Sequence, residues 1–202
     1  DMIAWFKATS VAPLVRVPVA DYHFIARTLD VGALGVMVPN VKSGEQAQVI
    51  IDAAKYTPLG GRGLITGAAH SDWKPVNARE FMEESNANTA IICQIESQEG
   101  LDNLEDIAST AGVDVLWVGH GDLTNSLGIV GQYHHPRFLD ALKRVVEVAR
   151  KHGLGAGIQP GNLEQAREWI EIGFNVISYS MDARFYLGAL AEAIRAVREM
   201  TG

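Results

Sequence analysis

Short, continuously apolar runs alternate with longer amphipathic stretches along this whole chain, which restricts it to an α/β fold built on a parallel sheet. The apolar runs fall at residues 13–17, 34–38, 90–95, 113–118, 154–158 and 176–179. Several lack the in–out alternation of a half-exposed strand, as parallel strands covered on both faces do. Between them lie helical stretches at 22–31, 45–55, 101–111, 136–152, 163–172 and 183–200. Gly32, Gly112, Gly153 and Gly173 each follow such a stretch and precede an apolar run, the position of a helix C-cap. Pro136 is expected at a first helical position. A further helix at 2–8 has no run before it, so the chain joins the alternation already in progress. Six β/α units fit an open doubly wound sheet, or an eight-strand barrel to which two further units belong. The 59–76 stretch is the one long irregular connection and, by length, a candidate binding loop.

Composition narrows the function classes. The 202 residues suffice for one core, read as a single domain over 1–202, and fall short of the roughly 250 of a full (β/α)8 barrel. A formal net charge of −7 leaves no basic field for nucleic acid or anionic lipid. The apolar runs are far shorter than the roughly 18 residues that read as a membrane span. No signal-like segment opens the chain, which begins at Asp1 and not at a methionine. Cys93, the one cysteine, has no internal disulfide partner, which fits a reducing cytoplasm.

In parallel α/β architectures ligands bind at the carboxyl ends of the strands. Three charged residues are expected there: Arg16, Glu96 and Asp122. Glu96 closes one apolar run and Asp122 lies just past the next, so adjacent strands would bring both carboxylates to one rim. Two unpaired carboxylates repel, so either one is protonated or a cation lies between them. Oxygen ligands without a Cys or a His pair favour a hard ion such as magnesium or manganese, with cobalt a further candidate. The bland alternative is that both acids merely begin the following helices, where the dipole favours them. Arg16 interrupts an apolar run and needs an anionic partner if buried; it is either a salt bridge inside the barrel or a stabiliser of enolate charge. Gln94 either faces the interior and contacts substrate or satisfies a neighbouring polar group. Asp30 ends a helix where an anion opposes the macrodipole; it is either an exposed, mildly unfavourable residue or one held by a histidine or arginine partner. Gly60-Gly-Arg-Gly63 lacks the Lys-Ser/Thr of a phosphate loop and reads as a tight turn. His120, beside Asp122, could touch substrate. Cys93 points opposite to Gln94 and reads as packing. Trp5, Trp73, Trp117 and Trp169 read as core or interface anchors.

Gln94-Ile-Glu96, then Gly119-His-Gly-Asp-Leu-Thr-Asn-Ser-Leu-Gly128 with its Asp 26 residues after the Glu, resembles the metal-binding core of HpcH/HpaI aldolases. Pro13-Leu-Val-Arg-Val-Pro18, Leu29-Asp-Val-Gly-Ala-Leu-Gly35 with Pro39, and Tyr56 with Gly60–Gly63 follow the same family in the same order. The resemblance implies a (β/α)8 TIM-type barrel of the pyruvate/phosphoenolpyruvate kind whose first two units are absent from this chain. It implies a class II aldolase that uses a divalent metal to cleave or form 4-hydroxy-2-oxo acids, giving pyruvate and an aldehyde. Position by position, Glu96 and Asp122 correspond to the metal ligands and Arg16 to the enolate-stabilising residue. Gln94 and the backbone N–H near Gly121 correspond to substrate contacts, and Asp30 to the residue that orients the catalytic base. Two departures stand out. His120 and Gly121 replace the family's Pro and small residue, and the family's histidine base belongs to a strand upstream of Asp1. The resemblance also implies a homo-oligomer, with a hexamer as one candidate, assembled through the helix at 183–200. Other readings are an oxaloacetate decarboxylase or C–C bond-forming relative, or a non-catalytic barrel relative.

Overall fold

A computed structural model describes residues 2–201. Six strands form one sheet in the order β1 to β6: Leu14–Arg16, Gly35–Val38, Ala90–Ile95, Val115–Val118, Gly155–Ile158 and Val176–Ile177. Every neighbouring pair is parallel. This order decides between the two architectures. A doubly wound sheet reverses direction at a switch point, whereas here each crossover advances the sheet by one strand in the same sense. Right-handed crossovers that never reverse leave all helices on one face, and the twisted sheet curls into a half-barrel around the other.

The two faces carry different residues because strand side chains alternate. The convex face contributes Ile91, Cys93, Ile95, Leu116, Val118, Ala156 and Ile158 to the main core beneath the helices, all nearly or fully buried. Cys93 is therefore packing, and burial pushes its thiol up to about 12. On the concave face, hydrogen-bonding register sets Arg16, Met37, Ile92, Val115 and Gly155 in one row and Gln94, Trp117, Gly157 and Val176 in the next. Ile92, Val115 and Trp117 form a separate small cluster there. Gly157 leaves room for Trp117: a Cβ at 157 would lie 2.3 Å from the indole ring.

Helices α1 (Met2–Phe6), α2 (Tyr22–Asp30) and α3 (Gly44–Ala54) precede β3. The expected glycine C-caps hold, with φ of +104°, +99°, +71° and +121° at Gly32, Gly112, Gly153 and Gly173. The 59–76 connection contains only a 3-10 turn at Ala69–Ser71. It leads into α4 (Ala78–Asn88), which the sequence pattern missed because no residue of this helix is buried. Its one clear signal was Asn77, whose side chain caps the N–H groups of Arg79 and Glu80. The helix expected at 101–111 is two pieces, α5 (Gln98–Asp102) and α6 (Leu104–Ser109). Asn103 breaks it, turning its side-chain amide to the Lys42 carbonyl at 2.8 Å. A short α7 (His120–Ser126) follows β4, and α8 (Pro136–Lys151) starts at Pro136 as expected. The last helices are α9 (Leu163–Ile172) and α10 (Asp182–Thr201). Trp117 and Trp169 are core residues, whereas Trp5 and Trp73 stand about three-quarters exposed, outside the core of this chain. Among the described residues no helix is long and apolar enough to cross a membrane.

Candidate active site

The pairing of β3 with β4 brings the two acidic segments together. Gly119 donates its N–H to the Ile95 carbonyl at 3.0 Å, so the backbone that follows β4 runs directly beside Glu96. A side chain at 119 would collide with that carboxylate: a Cβ there would sit 2.3 Å from Glu96 Oε2 and 2.6 Å from Gln94 Nε2. Asp122 follows in the first turn of α7. Glu96 instead precedes Ser97, the N-cap of α5, so the helix-dipole reading suits Asp122 alone.

Glu96 is only 8% exposed. Burial, and then the negative charge of Asp122, raise its carboxyl above the ordinary carboxylate range. The Asn40 backbone N–H, the Gln94 amide and Arg16 pull in the opposite direction. Gln94 Nε2 donates to Glu96 Oε2 at 2.5 Å, while Gln94 Oε1 is buried with no partner among the described residues. Arg16 ends β1 at the same rim, exposed and without an ion pair among the described residues. None of the described carboxylates therefore forms the barrel salt bridge that sequence left open for it. The Gly121 N–H belongs to the first turn of α7, where helical N–H groups lack intrahelical acceptors.

Two residues of this rim escaped the sequence reading. Asn40, two residues beyond β2, has a left-handed backbone (φ +54°) that turns its N–H toward Glu96; the Pro39-Asn40 pair was the available signal. Arg184, in the first turn of α10, approaches the loop that follows β5 and had no sequence signal. His120 packs edge-on against Tyr133 and at a tilt against Trp169, both ring centroids 5.4 Å away. Burial and then the charge of Arg184 lower its pKa.

Asp30 does not join this group within the chain. Helix α2 runs antiparallel to the strands, so its last residue lies near their N-terminal ends. There Asp30 accepts from Arg62 at 2.7 Å, and its carbonyl lies 3.1 Å from His70 Nδ1. The expected arginine partner is Arg62, whose side chain is only 3% exposed and stacks on the Tyr56 ring at 4.7 Å. Lys55 is also remote from the rim. Its buried ammonium donates to the Asn86 and Thr89 carbonyls at the end of α4, and burial lowers its pKa.

The donor set fits a hard divalent cation. Glu96 and Asp122 offer two carboxylates whose repulsion a cation would relieve, next to an orphaned amide oxygen. Among the described residues no cluster of three or more His, Cys, Asp or Glu side chains is present. Water and substrate oxygens would complete the coordination shell, as is usual for magnesium.

Comparison with known proteins bears on the family and the fold. The family described as HpcH/HpaI aldolase/citrate lyase matches residues 1–188. A hydroxypyruvate/pyruvate aldolase of Paraburkholderia phytofirmans is 35% identical over 189 residues, covering 92% of this chain and 72% of the relative. A 5-keto-4-deoxy-D-glucarate aldolase of Klebsiella pneumoniae is 35% identical over 192 residues, covering 94% of this chain and 74% of its own length. The crystal structure of an HpcH/HpaI aldolase from Desulfitobacterium hafniense superposes with a TM-score of 0.92 at 32% identity, over 98% of this chain and 76% of that one. With its consecutive parallel half-barrel and its acidic rim, the chain belongs to the HpcH/HpaI aldolase/citrate lyase family.

Proposed function

We propose that this protein is a divalent-metal-dependent aldolase that cleaves or forms 4-hydroxy-2-oxo acids, with pyruvate and an aldehyde as the products of cleavage. The observation that carries the reading is the buried Glu96 carboxylate within the electrostatic reach of Asp122, with Gln94 bonded to it and Arg16 on the same rim. The six consecutive strands are read as six of the eight units of a barrel.

A magnesium or manganese ion held by Glu96 and Asp122 would supply Lewis-acid polarisation of the 2-oxo acid. The rest of the work falls to the chain. The Gly121 N–H and Gln94 orient the 2-oxo acid head against the rim. In the cleavage direction a base takes the 4-hydroxyl proton, the C3–C4 bond breaks, and its electron pair moves through C3–C2 onto the keto oxygen. Arg16, with no carboxylate partner among the described residues, offers guanidinium N–H groups where that charge develops. Protonation at C3 then gives pyruvate. No residue of this chain corresponds to the family's histidine base, and the placement of Asp30 near the strand N-termini gives it no contact with this rim inside the chain. A role in orienting the base would therefore need a second copy of the protein.

The test is Mn²⁺ binding by calorimetry together with exchange of the pyruvate C3 protons in D2O. Glu96→Ala and Asp122→Ala should each abolish both signals while the protein stays folded. Unchanged Mn²⁺ affinity in the two variants would reject the assignment.

A further inference from the structure

The turn that presents Gly121 and Asp122 to the rim gains little stiffness from its own residues. Glycine leaves a backbone freer than any other residue, and nothing lies within 4 Å of where a Gly121 Cβ would be. Its φ is not left-handed, so neither crowding nor strain sets its conformation. His120 before it lacks the fixed φ of a proline. Helix α7 is only 7 residues long, too short to hold its first turn by its own hydrogen bonds. Yet Asp122 can share a cation with Glu96 only if this turn keeps one orientation.

A hydroxyl from the next turn supplies the restraint. Thr124 is 0% exposed. Its Oγ1 donates to the Gly121 carbonyl at 2.8 Å and accepts from the Gly131 N–H at 3.1 Å. A threonine that bonds back to a carbonyl of its own helix is common and by itself carries no role. The second bond sets this one apart, because it ties the turn to a segment outside the helix. That segment folds back along α7 through left-handed Gly128 and Gly131, at φ +71° and +69°. The Ile129 N–H donates to the Thr124 carbonyl at 2.9 Å, and Tyr133 beyond it is a ring on which His120 packs. The Gly121 carbonyl and the Asp122 N–H are opposite ends of one planar peptide. Fixing the carbonyl therefore fixes the plane from which Asp122 leaves the turn.

We infer that Thr124 is a positioning residue, whose hydroxyl clamps the Gly121–Asp122 peptide to Gly131 and so sets the direction of the Asp122 carboxylate and the Gly121 N–H at the rim. The inference rests on the aldolase reading and deepens it. Thr124 touches neither substrate nor metal in this role; it acts through the two residues that do.

The experiment compares full-length wild type, Thr124→Val and Thr124→Ser. Valine keeps the shape and removes both bonds, while serine keeps the hydroxyl. Thr124→Val should raise KM for pyruvate in C3 proton exchange by about tenfold, the scale of one hydrogen bond. Its kcat should stay within about threefold of wild type, because the lost contact is made in ground and transition states alike. Calorimetry should show Mn²⁺ binding weakened in Thr124→Val, and Thr124→Ser should recover most of both losses. A lowered thermal midpoint with wild-type KM and Mn²⁺ affinity would reduce Thr124 to packing and overturn the inference, as would equal losses in the two variants. A wild type that exchanges no pyruvate protons rejects the aldolase reading instead. Amide hydrogen exchange then decides Thr124 alone: Thr124→Val should speed exchange at Leu123 and Gly131 more than at Val118 in β4, and unchanged rates at those two amides would remove the clamp.

Discussion

Arg16 separates chemistry from architecture at the level of a single side chain. Its sequence context allowed either a structural ion pair or an enolate contact, and among the described residues Arg16 is exposed at the rim with no carboxylate partner. Arg16→Lys keeps the charge but loses the planar fork and its reach. The expected outcome is a fall in kcat of about 10²-fold, the scale of one preorganised oxyanion donor, with the thermal midpoint nearly unchanged. A pyruvate-exchange rate near wild type in a folded, Mn²⁺-loaded variant would take Arg16 off the list of catalytic residues. Asp30 teaches the opposite lesson. Its awkward position at a helix end signalled a partner, which is Arg62, 32 residues away, and within the chain the pair lies away from the acidic rim.

Among the elements, the β3–β4 pair makes the site, because parallel register sets Gly119 against Glu96. The requirement for glycine there is spatial, since the backbone at 119 is not left-handed. Gly119→Ala would push a methyl group into the Glu96 carboxylate and the Gln94 amide. Overpacking of this kind costs about 1–3 kcal/mol, and here it falls on the two side chains that shape the acidic rim. The variant should fold with a modestly lower midpoint and bind Mn²⁺ at least about tenfold more weakly, a loss near 1.4 kcal/mol. Titration calorimetry beside a melting curve checks both, and wild-type affinity would show that the strand pair tolerates the methyl group. Helix α4 marks the limit of periodicity as a guide. With no buried residue it has almost no apolar stripe, and only its Asn77 cap announced it.

For the whole molecule, the largest open question the geometry poses is the surface of α10. None of its residues is buried, yet Leu187, Leu190, Ile194 and Val197 recur along it at helical spacing and are 62%, 41%, 42% and 57% exposed. A helix of this kind normally buries its apolar stripe. The homo-oligomer implied by family resemblance offers a surface to cover it. Burying one leucine contributes about 1.5–3 kcal/mol, so Leu187→Glu with Leu190→Glu should weaken assembly by roughly two or more orders of magnitude. Light scattering coupled to size exclusion would then report a lower mass than wild type, with the half-barrel still folded by circular dichroism. A mass that does not change would exclude α10 from the interface.

Local chemistry by itself fixed much of this protein. Continuous apolar runs mark parallel strands, glycines with positive φ end the helices, and Pro136 opens α8, because each depends on residues within a few positions of one another. The acidic rim was legible for a related reason: Glu96 and Asp122 end consecutive runs, and consecutive parallel strands are commonly neighbours. Other features depended on pairings distant in sequence. The unreversed strand order that curls the sheet follows from the sense of each crossover, which no local pattern encodes. The Asp30–Arg62 pair, the left-handed Asn40 beside Glu96 and the approach of Arg184 to His120 arise only when separate elements meet. Periodicity reports which face of an element is apolar. Only the assembled sheet decides which polar side chains are left facing one another, and with that the chemistry of the rim.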